Sequence, residues 1–127
     1  MSEFVLDASA LIALINSEKG CDQVEQYINK SCISSVNISE VAGILHDILI
    51  PETEIETILG KLITNIIPFD EQHAYETAKL KSKTKKYGLS FGDRACLSLG
   101  IIKKLPVITA DKIWNSLEIG VKVIMIR

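Results

Sequence analysis

The segment FVLDASALIALI, residues 4–15, holds a strand and a helix with a single acid at their junction. Phe4-Val5-Leu6 is a short apolar run that reads as a strand, and Ala8 to Ile15 reads as a helix. The same unit recurs along the chain. Cys21 to Asn29 reads as a second helix and Cys32-Ile33-Ser34-Ser35 as a second strand. Ile38 to Leu49 carries Ile38, Val41, Ala42, Leu45 and Ile48 at helical spacing. Pro51 suits the first turn of a further helix with Ile55, Ile58, Leu59 and Leu62 on its inner face. Ile66-Ile67-Pro68 is a brief third strand. Glu71 to about Lys83 and Gly92 to Lys103 are helical, and Pro106-Val107-Ile108 and Val121 to Ile126 are the last two strands. Parallel strands buried on both faces are short and apolar throughout, as these are. The alternation predicts an α/β sandwich, a mostly parallel five-stranded sheet flanked by helices.

The 127 residues suffice for one domain, expected to span residues 1–127. The chain is 47% apolar and 24% charged, the balance of a soluble globular protein. Its net charge of -2 provides no global field that attracts nucleic acid. Any RNA contact must then come from a local basic patch, a metal ion or a second subunit. Cys21, Cys32 and Cys96 are odd in number and lack zinc-type spacing, so they read as buried thiols in a reducing compartment, with a cytoplasmic setting expected. The opening MSEFVLDASALIALI has no basic flank and Asp7 interrupts its apolar run, which argues against a leader or a membrane span.

In an open parallel sheet the carboxyl ends of the strands share one edge, and sites form there. Asp7 directly follows the first strand. Glu40 is expected in the first turn of the helix after the second, and Asp111 two residues past the fourth. Asp93 is expected in the first turn of the helix that leads into the fourth strand. A geometric condition attaches to Asp93. The Glu71 to Lys83 helix descends about 20 Å, and the segment from Thr84 to Phe91 can climb back roughly 25 Å if extended.

Each acid also has a local explanation. Asp7 can cap the following helix, Asn37-Ile38-Ser39-Glu40 matches a capping box, Ser90-Phe91-Gly92-Asp93 is a looser version, and Asp111 can cap a turn at Lys112 to Asn115. Four carboxylates gathered at one edge are harder to explain that way. At an effective dielectric of ~20 each close pair costs about 2–4 kcal/mol unless a cation intervenes. All-oxygen ligands with no Cys or His select Mg²⁺, with Mn²⁺ as the alternative. Such a site suits phosphodiester hydrolysis.

The motifs resemble those of PIN-domain toxins of the VapC type. Val5-Leu6-Asp7-Ala8-Ser9-Ala10-Leu11-Ile12-Ala13 is similar to the family's opening and Ser39-Glu40-Val41 to its second motif. Leu89-Ser90-Phe91-Gly92-Asp93-Arg94, followed by Ala95-Cys96-Leu97, is similar to the third, and Val107-Ile108-Thr109-Ala110-Asp111 to the fourth. The resemblance covers essentially the whole chain. It implies a PIN-like three-layer sandwich and a metal-dependent endoribonuclease, the toxin of a type II toxin–antitoxin pair. Asp7, Glu40, Asp93 and Asp111 fall on the acidic, metal-holding positions, Asp111 on the most variable one. Ser9 and Thr109 fall on supporting hydroxyl positions. A homodimer, an RNA substrate and a cognate antitoxin that points a basic side chain at the acids are also implied. The alternative is a catalytically silent PIN-like module that keeps the antitoxin contact.

Other residues leave choices open. Lys83, Lys85 and Lys86, in the run Lys81 to Lys86, suit either a solvated helix end or an RNA-phosphate contact. Arg94 suits either a phosphate contact or a surface ion pair. His46 and His73 read as helix-surface residues and Trp114 as packing beside the fourth strand. A phosphate-accepting receiver domain would want adjacent acids after the first strand, and Leu6-Asp7-Ala8 offers one. A haloacid-dehalogenase-like phosphatase would want an Asp where Ser9 stands. No Walker loop, Rossmann glycine pattern or nucleophile elbow is present.

Overall fold

The computed structural model describes residues 1–127. Five strands, β1 (Phe4–Leu6), β2 (Ser31–Ser34), β3 (Ile66–Ile67), β4 (Val107–Thr109) and β5 (Val123–Met125), form one sheet in the order β3-β2-β1-β4-β5. Every pairing is parallel, so the sheet is wholly rather than mostly so. The helices are α1 (Ala8–Ile15), α2 (Cys21–Tyr27), α3 (Ser35–Asp47), α4 (Glu52–Leu62), α5 (Glu71–Lys83) and α6 (Phe91–Lys103).

Strand residues alternate between two cores. Leu6, Ile33 and Ile108 join a buried cluster with Leu11, Val24, Val41, Leu45, Ile55 and Leu59, so α1 to α4 cover one face. Val5, Cys32 and Val107 join Leu80, Cys96, Leu97, Leu99 and Trp114 on the other, under α5 and α6. Period-two alternation across a doubly covered sheet is why neighbouring strand positions such as Val5 and Leu6, or Val107 and Ile108, are both apolar. The result is the expected three-layer α/β sandwich. The chain leaves β1 with helices on one face and returns to β4 with helices on the other. That makes the β1–β4 boundary a topological switch point, where a crevice opens past the strand ends.

Helix α6 begins at the same edge. Phe69, just ahead of α5, lies ring to ring with Phe91 at 5.6 Å, and the Thr77 and Ser98 hydroxyls pair at 2.7 Å near mid-helix. The two contacts join residues 22 and 21 apart in sequence, so α5 and α6 run side by side in one direction. The segment between them therefore climbs the height of the layer, as the position of Asp93 requires.

Two expectations are corrected. Helix α3 starts at Ser35, not Ile38, because the Ser34 hydroxyl accepts from the Val36 N–H at 3.2 Å and caps it. Asn37 and Glu40 are therefore not a capping box, and Glu40 lies in the second turn. His73 is buried, only 4% exposed, while His46 is exposed. His73, Thr77, Leu80 and Thr84 form the stripe of α5 that packs inward, a stripe polar enough in sequence to pass for a surface. Trp114 is fully buried, as expected of a packing residue.

Gly100 lets α6 lie close against β4. A Cβ there would meet Val107 Cγ2 at 2.6 Å and Val121 Cγ2 at 3.0 Å. Helix propensity favours alanine by ~1 kcal/mol, but overpacking of this kind costs about 1–3 kcal/mol. Gly100→Ala is expected to lower the melting temperature by several degrees. An unchanged or higher value in thermal denaturation would show that the layer can part at no cost.

Candidate active site

Asp7 sits at the switch point. Its N–H extends the β1–β4 ladder to the Ile108 carbonyl at 2.9 Å, and it occupies the N-cap position of α1. Its side chain does not cap. Oδ2 instead accepts from the Ser9 hydroxyl at 2.6 Å and the Thr109 hydroxyl at 2.9 Å. Those hydroxyls are held in turn, Ser9 Oγ by the Ala110 N–H and Thr109 Oγ1 by the Asp111 N–H, each at 3.0 Å. Asp7 is 3% exposed. Burial pushes its carboxyl up to about 6, against the pull of the two hydroxyls, and the charges of Asp93 and Glu40 push it further the same way.

Glu40 and Asp93 come from different helices and meet at Gly92. The Asn37 side-chain amide donates to Glu40 Oε1 at 2.7 Å and to the Gly92 carbonyl at 2.9 Å. This fully buried amide ties α3 to the start of α6. Glu40's carboxylate lies directly over the Cα of Gly92, inside the contact distance of any Cβ placed there. Asp93 closes a true capping box. The Ser90 N–H donates to its Oδ2 at 2.9 Å, and its own N–H donates to Ser90 Oγ at 3.1 Å. Cys96 sits beneath. Its buried thiol is held well above the ordinary thiol range by desolvation first, then by Asp7, Asp93 and Glu40. These three acids thus share one neighbourhood, where the sequence led one to expect four.

Asp111 stands apart. It is exposed, caps the 3-10 turn Lys112–Ser116 through the Ile113 N–H at 3.1 Å, and is not among the charges acting on Asp7 or Cys96. Arg94 is half-buried, its guanidinium 5.9 Å from the centre of the Phe91 ring, and it makes no ion pair. Lys83 ends α5, roughly 18 Å down the helix axis from Glu71, and Lys85 and Lys86 lie in the 3-10 turn that follows. The three lysines are exposed and begin at the opposite edge from the acids. Asn37 is the residue sequence reasoning misread. Its spacing to Glu40 suggested a cap, whereas its contact to Gly92, 55 positions away, leaves no local trace.

The donor set suits a hard divalent cation on two counts. Each of the four acids engages one carboxylate oxygen in hydrogen bonds and leaves the other without a donor. Asn37 Oδ1 is buried beside Glu40 without a donor of its own. A cation would offset the cost of holding Asp7 ionised among Glu40 and Asp93. As the side chains stand, no three His, Cys, Asp or Glu groups are placed to hold one ion together. The reason is local: Asp93 and Asp111 are turned back onto their own first turns.

The PIN domain family profile matches residues 4–119. A search of curated proteins finds no match to the sequence. Among solved structures, the chain is similar to a protein in the DNA-bound VapBC complex of Salmonella typhimurium, with 18% identity, full coverage of both chains and a TM-score of 0.78. It is also similar to a chain of a toxin–antitoxin complex from Klebsiella pneumoniae, at 20% identity, 97% coverage of each chain and a TM-score of 0.74. Mycobacterium tuberculosis VapC20, described as a toxin that cleaves the sarcin–ricin loop, aligns at 12% identity over 94% of this chain and 98% of its own, with a TM-score of 0.71.

Proposed function

Because the chain belongs to the PIN-domain family, we propose that it is a divalent-metal-dependent endoribonuclease and the toxin of a type II toxin–antitoxin pair. The observation that carries this reading is the Asp7 carboxylate, buried at the switch point and pushed up to about 6. A structural role does not call for an acid there, because an amide would satisfy the same hydroxyls without a buried charge. A catalytic role does, since the ionised group holds a divalent cation far more strongly than a neutral amide would.

Asp7, Glu40 and Asp93 would hold the ion, Mg²⁺ or Mn²⁺, with Asp111 at the outer side. When bound, such an ion supplies positive charge that polarises an attacking water and offsets charge building on the phosphate. The chain's own groups do the positioning. Ser9 and Thr109 hold Asp7 with one oxygen turned outward. Asn37 sets the distance between Glu40 and the Asp93 turn. Asp111, exposed at the rim, keeps one carboxylate oxygen without a donor.

The partners follow from the same reading. The RNA is met in the cytoplasm, and no helix is long and apolar enough to cross a membrane. An acidic pocket is blocked most directly by a basic side chain, the feature expected of the cognate antitoxin. Homodimers, and hetero-oligomers with that antitoxin, complete the proposal. Of the similar proteins, two are described within toxin–antitoxin assemblies and one as an RNA-cleaving toxin.

The purified chain, freed of any partner, is expected to cleave RNA with Mg²⁺ or Mn²⁺ and to stop when EDTA is added. Attack by water leaves 5′-phosphate and 3′-hydroxyl ends. End mapping that found 2′,3′-cyclic phosphates, or cleavage undiminished in EDTA, would reject the mechanism.

A further inference from the structure

The edge that carries the acids also carries an aromatic side chain that the fold leaves half exposed. Phe91 opens α6 and is 51% exposed. It directly precedes Gly92, on which Glu40 rests, and Asp93. The ring is supported from below. Phe69 meets it edge-on at 70° and 5.6 Å, and Phe69 is itself anchored by its N–H to the Ser35 hydroxyl at 3.0 Å and packed against the buried His73 ring. The Arg94 guanidinium lies 5.9 Å from the ring centre. Half of this ring meets water, so it contributes only part of the burial energy of a core phenylalanine.

We propose that Phe91 is a stacking platform for an unpaired nucleobase of single-stranded RNA, beside the phosphate that is cut. The inference rests on the nuclease reading and adds how substrate is held. The electrostatics favour such a device. The net charge is -2 and the acids repel phosphate, so the usual Coulombic attraction for RNA is weak here. Stacking needs no net charge, because every base has an apolar face. It also selects single strands, since a base inside a duplex cannot leave its neighbours at low cost. A platform braced by Phe69 loses little freedom when a base lands on it, and Arg94, whose guanidinium lies over the ring at 5.9 Å, can swing to meet the adjoining phosphate and leave that face to the base. Trp114 is buried and cannot serve.

The test uses a short unstructured RNA that carries 2-aminopurine, whose fluorescence is quenched on stacking. It is titrated in Mg²⁺ with the Asp7→Asn chain, which leaves the RNA intact, and with the same chain carrying Phe91→Ala, Phe91→Leu or Phe91→Trp. Phe91→Trp should keep the quench and the affinity. Phe91→Ala and Phe91→Leu should lose the quench and weaken binding about tenfold. Retained quench and affinity in Phe91→Ala or Phe91→Leu would overturn the proposal, because leucine keeps the apolar bulk but not the flat face. A changed oligomeric size of Phe91→Ala in light scattering would also overturn it, assigning the ring to a contact between copies. Absence of any RNA binding by the parent overturns it as well. Cleavage by the wild-type chain, measured alongside, reports separately on the nuclease reading.

Discussion

Asp7→Asn is expected to abolish RNA cleavage while making the protein more resistant to heat in EDTA. The two effects have one cause. The carboxyl is raised from 3.8 to about 6, chiefly by burial. Below about 3.8 both folded and unfolded chains carry the proton and nothing is lost. Between about 3.8 and about 6 the unfolded chain releases the proton while the folded chain keeps it. Stability therefore falls as pH rises through that window and levels off above it. At 1.36 kcal/mol per pKa unit the deficit at neutral pH is at most about 3 kcal/mol. Asparagine keeps an oxygen to accept from Ser9 and Thr109 but carries no charge. The variant should melt several degrees higher than wild type at pH 7 and gain little at pH 4. Cleavage should drop at least about a hundredfold, since the charge that holds the ion is gone. Mg²⁺ should raise the wild-type melting temperature more than the variant's. A variant that cuts normally, or that melts lower at pH 7, would remove Asp7 from the site.

Gly92→Ala should separate activity from stability in a different way. A methyl group at residue 92 takes the space now held by the Glu40 carboxylate. Glu40 is exposed and flexible, so it can swing aside. In doing so it gives up the 2.7 Å bond from Asn37 and its place beside Asp93. Displacement of a catalytic group by about 1 Å can cost about a hundredfold in rate. Alanine is the better helix former by ~1 kcal/mol, which offsets much of the lost bond, so the melting temperature should move by only a few degrees. Gly43 lies in α3 with nothing within 4 Å of a Cβ, and Gly43→Ala provides the control. Its rate should match wild type. Equal rates for Gly92→Ala and Gly43→Ala would show that Glu40 is not held where the chemistry occurs.

Much of this architecture was legible in the residues. Short apolar runs such as Phe4-Val5-Leu6 and Val107-Ile108 are too brief for helices of their own and read as buried strands, and acids that follow them mark the edge where sites form. The start of α3 was not legible, because Ser34 and Asn37 both suit an N-cap and only packing of the first turn selects Ser34. His73 was misjudged for a related reason. A stripe of His73, Thr77 and Thr84 carries little apolar signal, and its burial depends on α6 lying alongside with Ser98 as a hydroxyl partner. At the site, the acids could be found because each follows a recognisable strand or cap. The clamp formed by Asn37 could not, because it joins two segments that local spacing does not relate. The divided behaviour of Asp111 likewise depends on which way a capping carboxylate turns, which the chain order leaves open.

The bond from Thr109 to Asp7 spans 102 positions. As the polypeptide leaves the ribosome, β1 can meet β2 across the 27 positions from Phe4 to Ser31, whereas its other neighbour, β4, is made much later. Until β4 arrives, Asp7 has neither its second hydroxyl nor a wall on that side. The order of synthesis thus delays the proposed site: its central acid stays half-built until β4 has been made and has docked.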